Sequence, residues 1–168
     1  FTEPYYKDAS GYSYEYRPMV LLSFAIEHDL FGDNPHVSHF INVILYSLLC
    51  VFLFLVLRKL LSRKWELVSL FTVLLFAVHP THTEIVDSIK NRDEIMALGG
   101  ALFSFFFALK FVETKKWLYL IPTLATYTLG LLSKQTVTSF VIFIPLALVL
   151  FRDVTIKQII AIGIILLI

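Results

Sequence analysis

Residues 37–57 run for 21 positions without a single Asp, Glu, Lys or Arg. A membrane-crossing helix needs about 20 apolar residues, with a range of about 17–25, so this run is long enough to cross a bilayer. Further apolar segments follow at 66–79, 95–112, 117–132 and 136–151, and a truncated one begins at 156 and reaches 168. The 66–79 segment is short at its apolar core, with Trp65 and His79 as interfacial ends. Pro122 and Pro145 fall inside two of the segments, which membranes tolerate when neighbouring helices satisfy the freed carbonyls. The fold class expected is an all-α polytopic membrane protein, with residues 1–36 outside the bilayer and residues 37–168 forming a transmembrane helix bundle.

Composition agrees. The chain is 58% hydrophobic and 16% charged, with a mean hydropathy of +0.78, whereas a soluble domain is about 45–50% apolar and about 25% charged. A net charge of +1 and the absence of a basic block exclude a nucleic-acid groove. Cys50 is the one cysteine and sits in an apolar run, so neither a disulfide framework nor a cysteine metal site fits within the chain. No initiator Met opens the sequence and its end falls within an apolar run; a longer membrane protein is expected around it.

The loops give an orientation. Arg58, Lys59, Arg63, Lys64, Lys110, Lys115, Lys116, Arg152 and Lys157 follow alternate apolar segments, nine of the 14 basic residues. The positive-inside rule makes their side cytoplasmic. All five histidines and ten of the 13 acidic residues fall on the other side, which is periplasmic or lumenal, in a bacterial inner membrane or the endoplasmic reticulum. On that outer side, residues 1–16 read as a Tyr-rich loop. Residues 18–30 read as an amphipathic helix on the membrane surface, with Val20, Leu21, Phe24, Ala25 and Leu30 on one face and Ser23, Glu27 and His28 on the other. Phe31-Gly32-Asp33-Asn34-Pro35 closes it as a turn.

The segment from His79-Pro80-Thr81-His82-Thr83-Glu84 to Asn91-Arg92-Asp93-Glu94 concentrates ionisable groups between two apolar stretches. Such groups in a membrane protein mark a site facing water, headgroups or substrate. Pro80 suits a first helical turn, and Thr81 with Glu84 fits a capping box. Helical projection from Thr83 puts Ile85, Ile89, Arg92 and Met96 on one stripe and Glu84, Asp87 and Asn91 opposite. Arg92 then points to the membrane side, at the depth of a lipid phosphate that its paired N–H donors match. Plainer roles stand beside these. Glu84 reads equally as a cap, and Arg92 as a snorkelling or ion-paired residue. Lys134 is an anchor or a second anion ligand. His79 and His82 could take zinc with Glu84 or His39, but the spacing is loose. His39 and Asn42 lie one turn apart and suit helix–helix hydrogen bonds.

Four ordered elements carry a resemblance: Tyr16-Arg17-Pro18-Met19 with Leu22-Ser23-Phe24; Phe31-Gly32-Asp33-Asn34-Pro35 with His39 and Asn42; His79-Pro80-Thr81-His82-Thr83-Glu84 with Arg92-Asp93; and Leu131-Leu132-Ser133-Lys134-Gln135. Over about residues 16–150 the chain is similar to the transmembrane-and-TPR (TMTC-like) proteins. These are a branch of the polytopic GT-C glycosyltransferases related to protein O-mannosyltransferases. The resemblance implies a GT-C-like bundle that takes a sugar from a polyprenyl- or dolichyl-phosphate carrier, with no cofactor, and transfers it to a protein or glycan acceptor on the outer face. It implies Arg92, Lys134, Arg17 and His79 as ligands of the lipid phosphate, with Glu84 and His82 in support of catalysis. Membrane lipid, the lipid-linked sugar, the acceptor and other membrane subunits are the partners it implies.

The chain departs from that pattern in three places. The Asp or Asp-Glu pair usual in the first outer loop is expected upstream of Phe1, since Glu3 and Asp8 lack the pattern. The TPR repeats do not occur in this chain, and Gln135 stands where Glu is usual. A non-catalytic GT-C-like subunit is therefore the alternative. A transporter or channel fits less well, because the span centres carry almost no ionisable groups.

Overall fold

The computed structural model describes residues 6–7, 13–14, 17–61 and 63–167. The readings placed on Tyr16, Glu3 and Asp8 lie outside the described residues. Of the expected N-terminal loop, Tyr6–Lys7 pairs antiparallel with Ser13–Tyr14. From Arg17 onward the described elements are helical.

Helix α1 spans Pro18–Phe31, with Pro18 in its first turn and Gly32 at its C-cap. Gly32 has φ +67°, a left-handed conformation that glycine adopts without steric cost. Its N–H closes on His28 O at 2.8 Å. Asn34 then starts α2, Pro35–Leu61: its Oδ1 accepts from His36 N at 3.1 Å and its backbone oxygen from Val37 and Ser38. The expected turn thus has a defined mechanism, a glycine stop followed by an asparagine start. The helix expected over residues 18–30 is present, but its inward face mixes the two expected ones: Val20 is fully buried, as an apolar face requires, and His28 is exposed. Ser23 and Glu27 turn inward onto the bundle, while Leu22, Ile26, Leu30 and Phe31 are exposed.

The remaining helices are α3 (Glu66–Ala77), α4 (Pro80–Asp87), α5 (Arg92–Thr114), α6 (Leu120–Leu131), α7 (Phe140–Phe151) and α8 (Ile156–Leu167). Among the described residues, two stretches, Pro35–Leu61 and Ile89–Thr114, are long and apolar enough to cross a membrane. At about 1.5 Å per residue, the 27 residues of α2 reach about 40 Å. The 12 residues of α3 reach only about 18 Å, short of a hydrocarbon core of about 30 Å. Pro122 lies in the first turn of α6, where its missing N–H leaves no bond unmade. Pro145 lies inside α7.

Helix α5 is the centre of the core. Its small residues Ala97, Gly100, Ala101, Ser104 and Ala108 let neighbouring backbones approach. A Cβ on Gly100 would lie 2.6 Å from Gly130 Cα in α6, so this crossing requires glycine. Below it, Phe105, Leu109, Phe111, Ile144, Leu148, Ile162 and Leu166 fill the core.

The two ends of the bundle differ in kind. At one end Lys59 pairs with Glu113 at 2.6 Å, and Arg152 Nη1 donates to Leu60 O at 3.0 Å. Gln158 there donates to Val112 O at 3.2 Å. The C-termini of α2 and α5 and the loop before α8 are tied together by these contacts, with the basic loops beside them. The other end gathers α1, the starts of α2 and α5, α4 and the turn after α6.

Candidate functional site

The polar segment does not form one helix. Helix α4 ends at Asp87, Ser88 is extended (φ −86°, ψ 115°), and a 3₁₀ turn over Ile89–Asn91 leads into α5 at Arg92. Ser88 N closes the last turn of α4 on Glu84 O at 3.0 Å. The single helical projection across 83–96 is thereby broken, and the side chains after Ser88 take a new direction. The start of α4 is corrected too. Its N-cap is His79, whose Nδ1 accepts from Thr81 N at 3.4 Å and from the Thr81 hydroxyl at 2.7 Å. Pro80 takes the first helical position, so Thr81 is already inside the helix and no Thr81–Glu84 capping box forms.

Arg92 is only 1% exposed and points into the bundle. Its Nε donates to Asn42 Oδ1 at 2.8 Å, Nη2 donates to Ser38 O at 3.2 Å, and Nη1 donates to Ser23 Oγ at 3.4 Å. Nη2 also pairs with Glu27 Oε2 at 2.7 Å, and the guanidinium lies 4.1 Å from the centre of the Phe24 ring. Every nitrogen faces a protein partner. The expected orientation of Arg92 toward the membrane face is therefore corrected: a buried guanidinium needs these acceptors inside the protein, and it gathers α1 and α2 at the head of α5. Asn42 completes the link by donating to Ser88 O at 3.3 Å, the helix–helix hydrogen-bonding role its position suggested. The Ser38 hydroxyl donates a hydrogen bond to Glu27 Oε1.

The neighbouring residue faces a second group of charges. Asp93, also 1% exposed, pairs with Arg17 at the head of α1 and lies 3.5 Å from Lys134 Nζ. Its Oδ1 accepts from Glu94 N at 2.8 Å. Lys134 Nζ is 2.5 Å from Glu94 Oε1. Met19 N, donating to Leu132 O at 3.4 Å, fastens the start of α1 to the turn that carries Lys134. Arg17 and Lys134, about a hundred residues apart in sequence, thus flank one carboxylate. In the sequence Asp93 stands out only beside Arg92 in the family-like motif, and Glu94 only as an acidic residue in a polar run. Their position in the first turn of a helix is the signal that marks them, since carboxylates there meet the positive end of the helix dipole.

Two hollows adjoin this cluster. One, of about 240 Å³, is lined by Tyr46, Phe76, His82, Glu94, Thr136 and Ser139 together with aliphatic residues. The other, of about 370 Å³, is an apolar groove whose wall includes Met19, Leu45, Phe52, Gly99, Phe103 and Ser133. Leu49 and Ile95 line both. Lys134 sits in the chain between Ser133 on the groove and Thr136 on the polar cavity, with its ammonium against Glu94.

His82 is held firmly. Its Nδ1 lies 2.5 Å from Phe76 O and 3.1 Å from the Tyr46 hydroxyl. A carbonyl cannot donate, so Nδ1 carries the proton and Nε2 is the acceptor in the neutral ring. The Tyr46 hydroxyl donates toward Phe76 O and Ala77 O at 3.3 and 3.2 Å, satisfying the end of α3.

Of the residues singled out from sequence, Arg17 and Lys134 meet at Asp93, and His82 lines the adjoining cavity. Glu84 is exposed and outside the cavity lining; it contributes its backbone oxygen to Asn91 Nδ2 at 3.2 Å. His79 is exposed, with its ring centre 5.7 Å from that of His82. Among the described residues, no group of three His, Cys, Asp or Glu side chains could hold a metal.

Comparison with known proteins places this arrangement in a family. The sequence profile of the dolichyl-phosphate-mannose-protein mannosyltransferases matches residues 16–168. The mouse protein O-mannosyl-transferase TMTC1 is 42% identical over 82 residues, covering 49% of this chain and 9% of that protein. The Drosophila melanogaster protein O-mannosyl-transferase Tmtc1 is 31% identical over 127 residues, covering 76% of this chain and 15% of its own length. Human protein O-mannosyl-transferase TMTC2 is 36% identical over 96 residues, 56% of this chain and 11% of that protein. The matched part of the chain thus spans less than a sixth of these relatives. No solved structure matches. On the extent of the profile match and the agreement of these relatives, the chain belongs to the dolichyl-phosphate-mannose-protein mannosyltransferase family.

Proposed function

We propose that this chain forms part of an integral-membrane glycosyltransferase of the GT-C type, which moves a sugar from a polyprenyl- or dolichyl-phosphate carrier to a protein or glycan hydroxyl. The names of the relatives make mannose the first sugar to test. The reading is supported above all by one observation: a cavity with polar groups in its wall and an apolar groove share Leu49 and Ile95, and Lys134 follows the groove residue Ser133 in the chain with its ammonium on the cavity residue Glu94. A lipid-linked sugar has three parts to match. Its sugar suits the cavity with Tyr46, His82, Glu94 and Ser139, its phosphate suits Lys134, and its isoprenoid chain suits the groove.

In the proposed reaction the acceptor oxygen bonds to the anomeric carbon as the bond from that carbon to the carrier phosphate oxygen breaks. The electron pair leaves with the phosphate, where Lys134, with Arg17 beside it, stabilises the charge. The hydroxyl proton passes to a carboxylate base, with His82 at the cavity wall in a supporting place. Glu84 and His79 stand at the outer rim, and Arg92 acts by holding the helices that carry the site. No cofactor enters this scheme. The chain's partners are membrane lipid, the lipid-linked donor, the acceptor and any neighbouring membrane subunits. The site end of a multi-pass bundle is assigned to the periplasm or lumen, because the basic loops gather at the opposite end.

The test is transfer from dolichyl-phosphate mannose by the full-length protein in lipid nanodiscs. Lys134→Met should lower affinity for the carrier phosphate by about tenfold, the loss of a hydrogen bond to a charged group. Unchanged affinity removes Lys134 from the phosphate site and the reading with it.

A further inference from the structure

Among the described residues, the charges around Lys134 cancel before any ligand arrives. Arg17 and Lys134 bring two positive groups, and Asp93 and Glu94 two negative ones. An anion entering this cluster meets both carboxylates as like charges and gains most by displacing one of them from Lys134. They are not equally free to leave. Asp93 is 1% exposed and fixed by Arg17 and by Glu94 N, and it lies 3.5 Å from the ammonium. Glu94 is 39% exposed, lies 2.5 Å from the ammonium, and has Lys134 as its only side-chain partner among the described residues. It also lines the polar cavity. Solvent reaches Glu94 and part of Lys134 and screens this pair more than the buried Asp93, so exchanging Glu94 for a phosphate on Lys134 is the less costly of the two exchanges.

We propose that Glu94 is a positioning residue of the site, held on Lys134 when the site is empty and displaced by a phosphate. Once displaced, its carboxylate faces the cavity beside Tyr46, His82, Thr136 and Ser139 and accepts a hydrogen bond from a hydroxyl ligand there. The two halves of the site are then coupled: phosphate on Lys134 raises affinity for a hydroxyl ligand in the cavity, and the reverse holds by the same factor. Asp93 keeps Lys134 in place throughout. This inference rests on the reading of Lys134 as the phosphate ligand given above.

The experiment measures binding of farnesyl phosphate to the full-length protein in nanodiscs for wild type, Glu94→Gln, Lys134→Met and the double variant. Glu94→Gln removes the competing charge while keeping size and hydrogen-bonding capacity. It should bind roughly fivefold tighter than wild type, the equivalent of an exposed ion pair. Lys134→Met should bind more weakly, and adding Glu94→Gln to it should give no tightening. A merely structural role for Glu94 predicts the opposite sign, weaker binding on substitution. If Lys134→Met weakens binding while Glu94→Gln leaves it unchanged or weakens it, the displacement is overturned and the phosphate site stands. If neither Lys134→Met nor Lys134→Gln changes affinity, the phosphate site itself fails. Lys134→Gln serves in place of Lys134→Met should the latter not fold.

Discussion

Arg92 and Glu27 meet inside the protein at 2.7 Å, with less than a tenth of either side chain exposed, and the pair joins the first helix to the fifth. Next to it in sequence, Asp93 joins the same first helix through Arg17. Adjacent residues of opposite charge thus hold α1 at two points, its start and its third turn. Charge therefore helps fix the first helix over the head of α5, together with the fully buried Val20 and with Phe24 against the Arg92 guanidinium.

Breaking a buried pair by removing one partner leaves an uncompensated charge, at a cost of about 3–5 kcal/mol. Arg92→Ala and Glu27→Ala should each destabilise the detergent-solubilised protein by about that amount and detach α1, visible as new protease sensitivity between residues 18 and 31. Replacing both by apolar residues should be milder than either single change. A fully additive double variant, measured by thermal unfolding, would show that the two side chains do not interact.

Gly100 and Gly130 make a second test, of packing alone. With 2.6 Å between a built Cβ and backbone, Gly100→Ala must push α5 and α6 apart. Overpacking of this kind costs about 1–3 kcal/mol. Gly99→Ala is the control, since its Cβ would meet only Leu49 Cδ1 at 3.9 Å. Equal stability of the two variants would contradict the close crossing.

Tyr46→Phe removes the hydroxyl that serves the last carbonyls of α3 and touches His82. The loss of a hydrogen bond to buried carbonyls is worth about 1 kcal/mol, and stability should fall by that much. A larger effect on transfer than on stability would mark the tyrosine as a substrate contact. An unchanged melting temperature would show that the carbonyls find other donors.

Orientation is open to cysteine labelling. In a Cys50→Ala background, His79→Cys should react with a membrane-impermeant maleimide from the periplasmic or lumenal side. Lys116→Cys should react only from the cytoplasmic side. Swapped labelling would reverse the assignment drawn from the basic loops, and labelling of both from one side would show that Ile89–Thr114 does not cross the bilayer.

The amino-acid sequence by itself determined the helices. A long apolar run must satisfy its own backbone hydrogen bonds where water is absent, and only a helix does so within one segment; α2, α5, α6, α7 and α8 follow from that. Local chemistry also set the Gly32–Asn34 turn and Pro80 at the first position of α4, because a positive φ, an Asx side chain and a missing N–H act within a few residues. It brought Lys134 and the His79–Glu94 segment to attention as charge at a membrane boundary, and the family resemblance added Arg17. It could not say which way those charges face. Periodicity assumes an unbroken helix, and the extended Ser88 resets the direction of everything after it, turning Arg92 from the lipid side to the interior. The Ser23–Glu27 stripe has helical spacing, yet only Arg92, more than sixty residues away in sequence, makes that stripe the buried one. The pairing of Lys134 with Asp93 and Glu94 arose likewise from the folded chain, since the partners of a charge are set by which helix ends pack together.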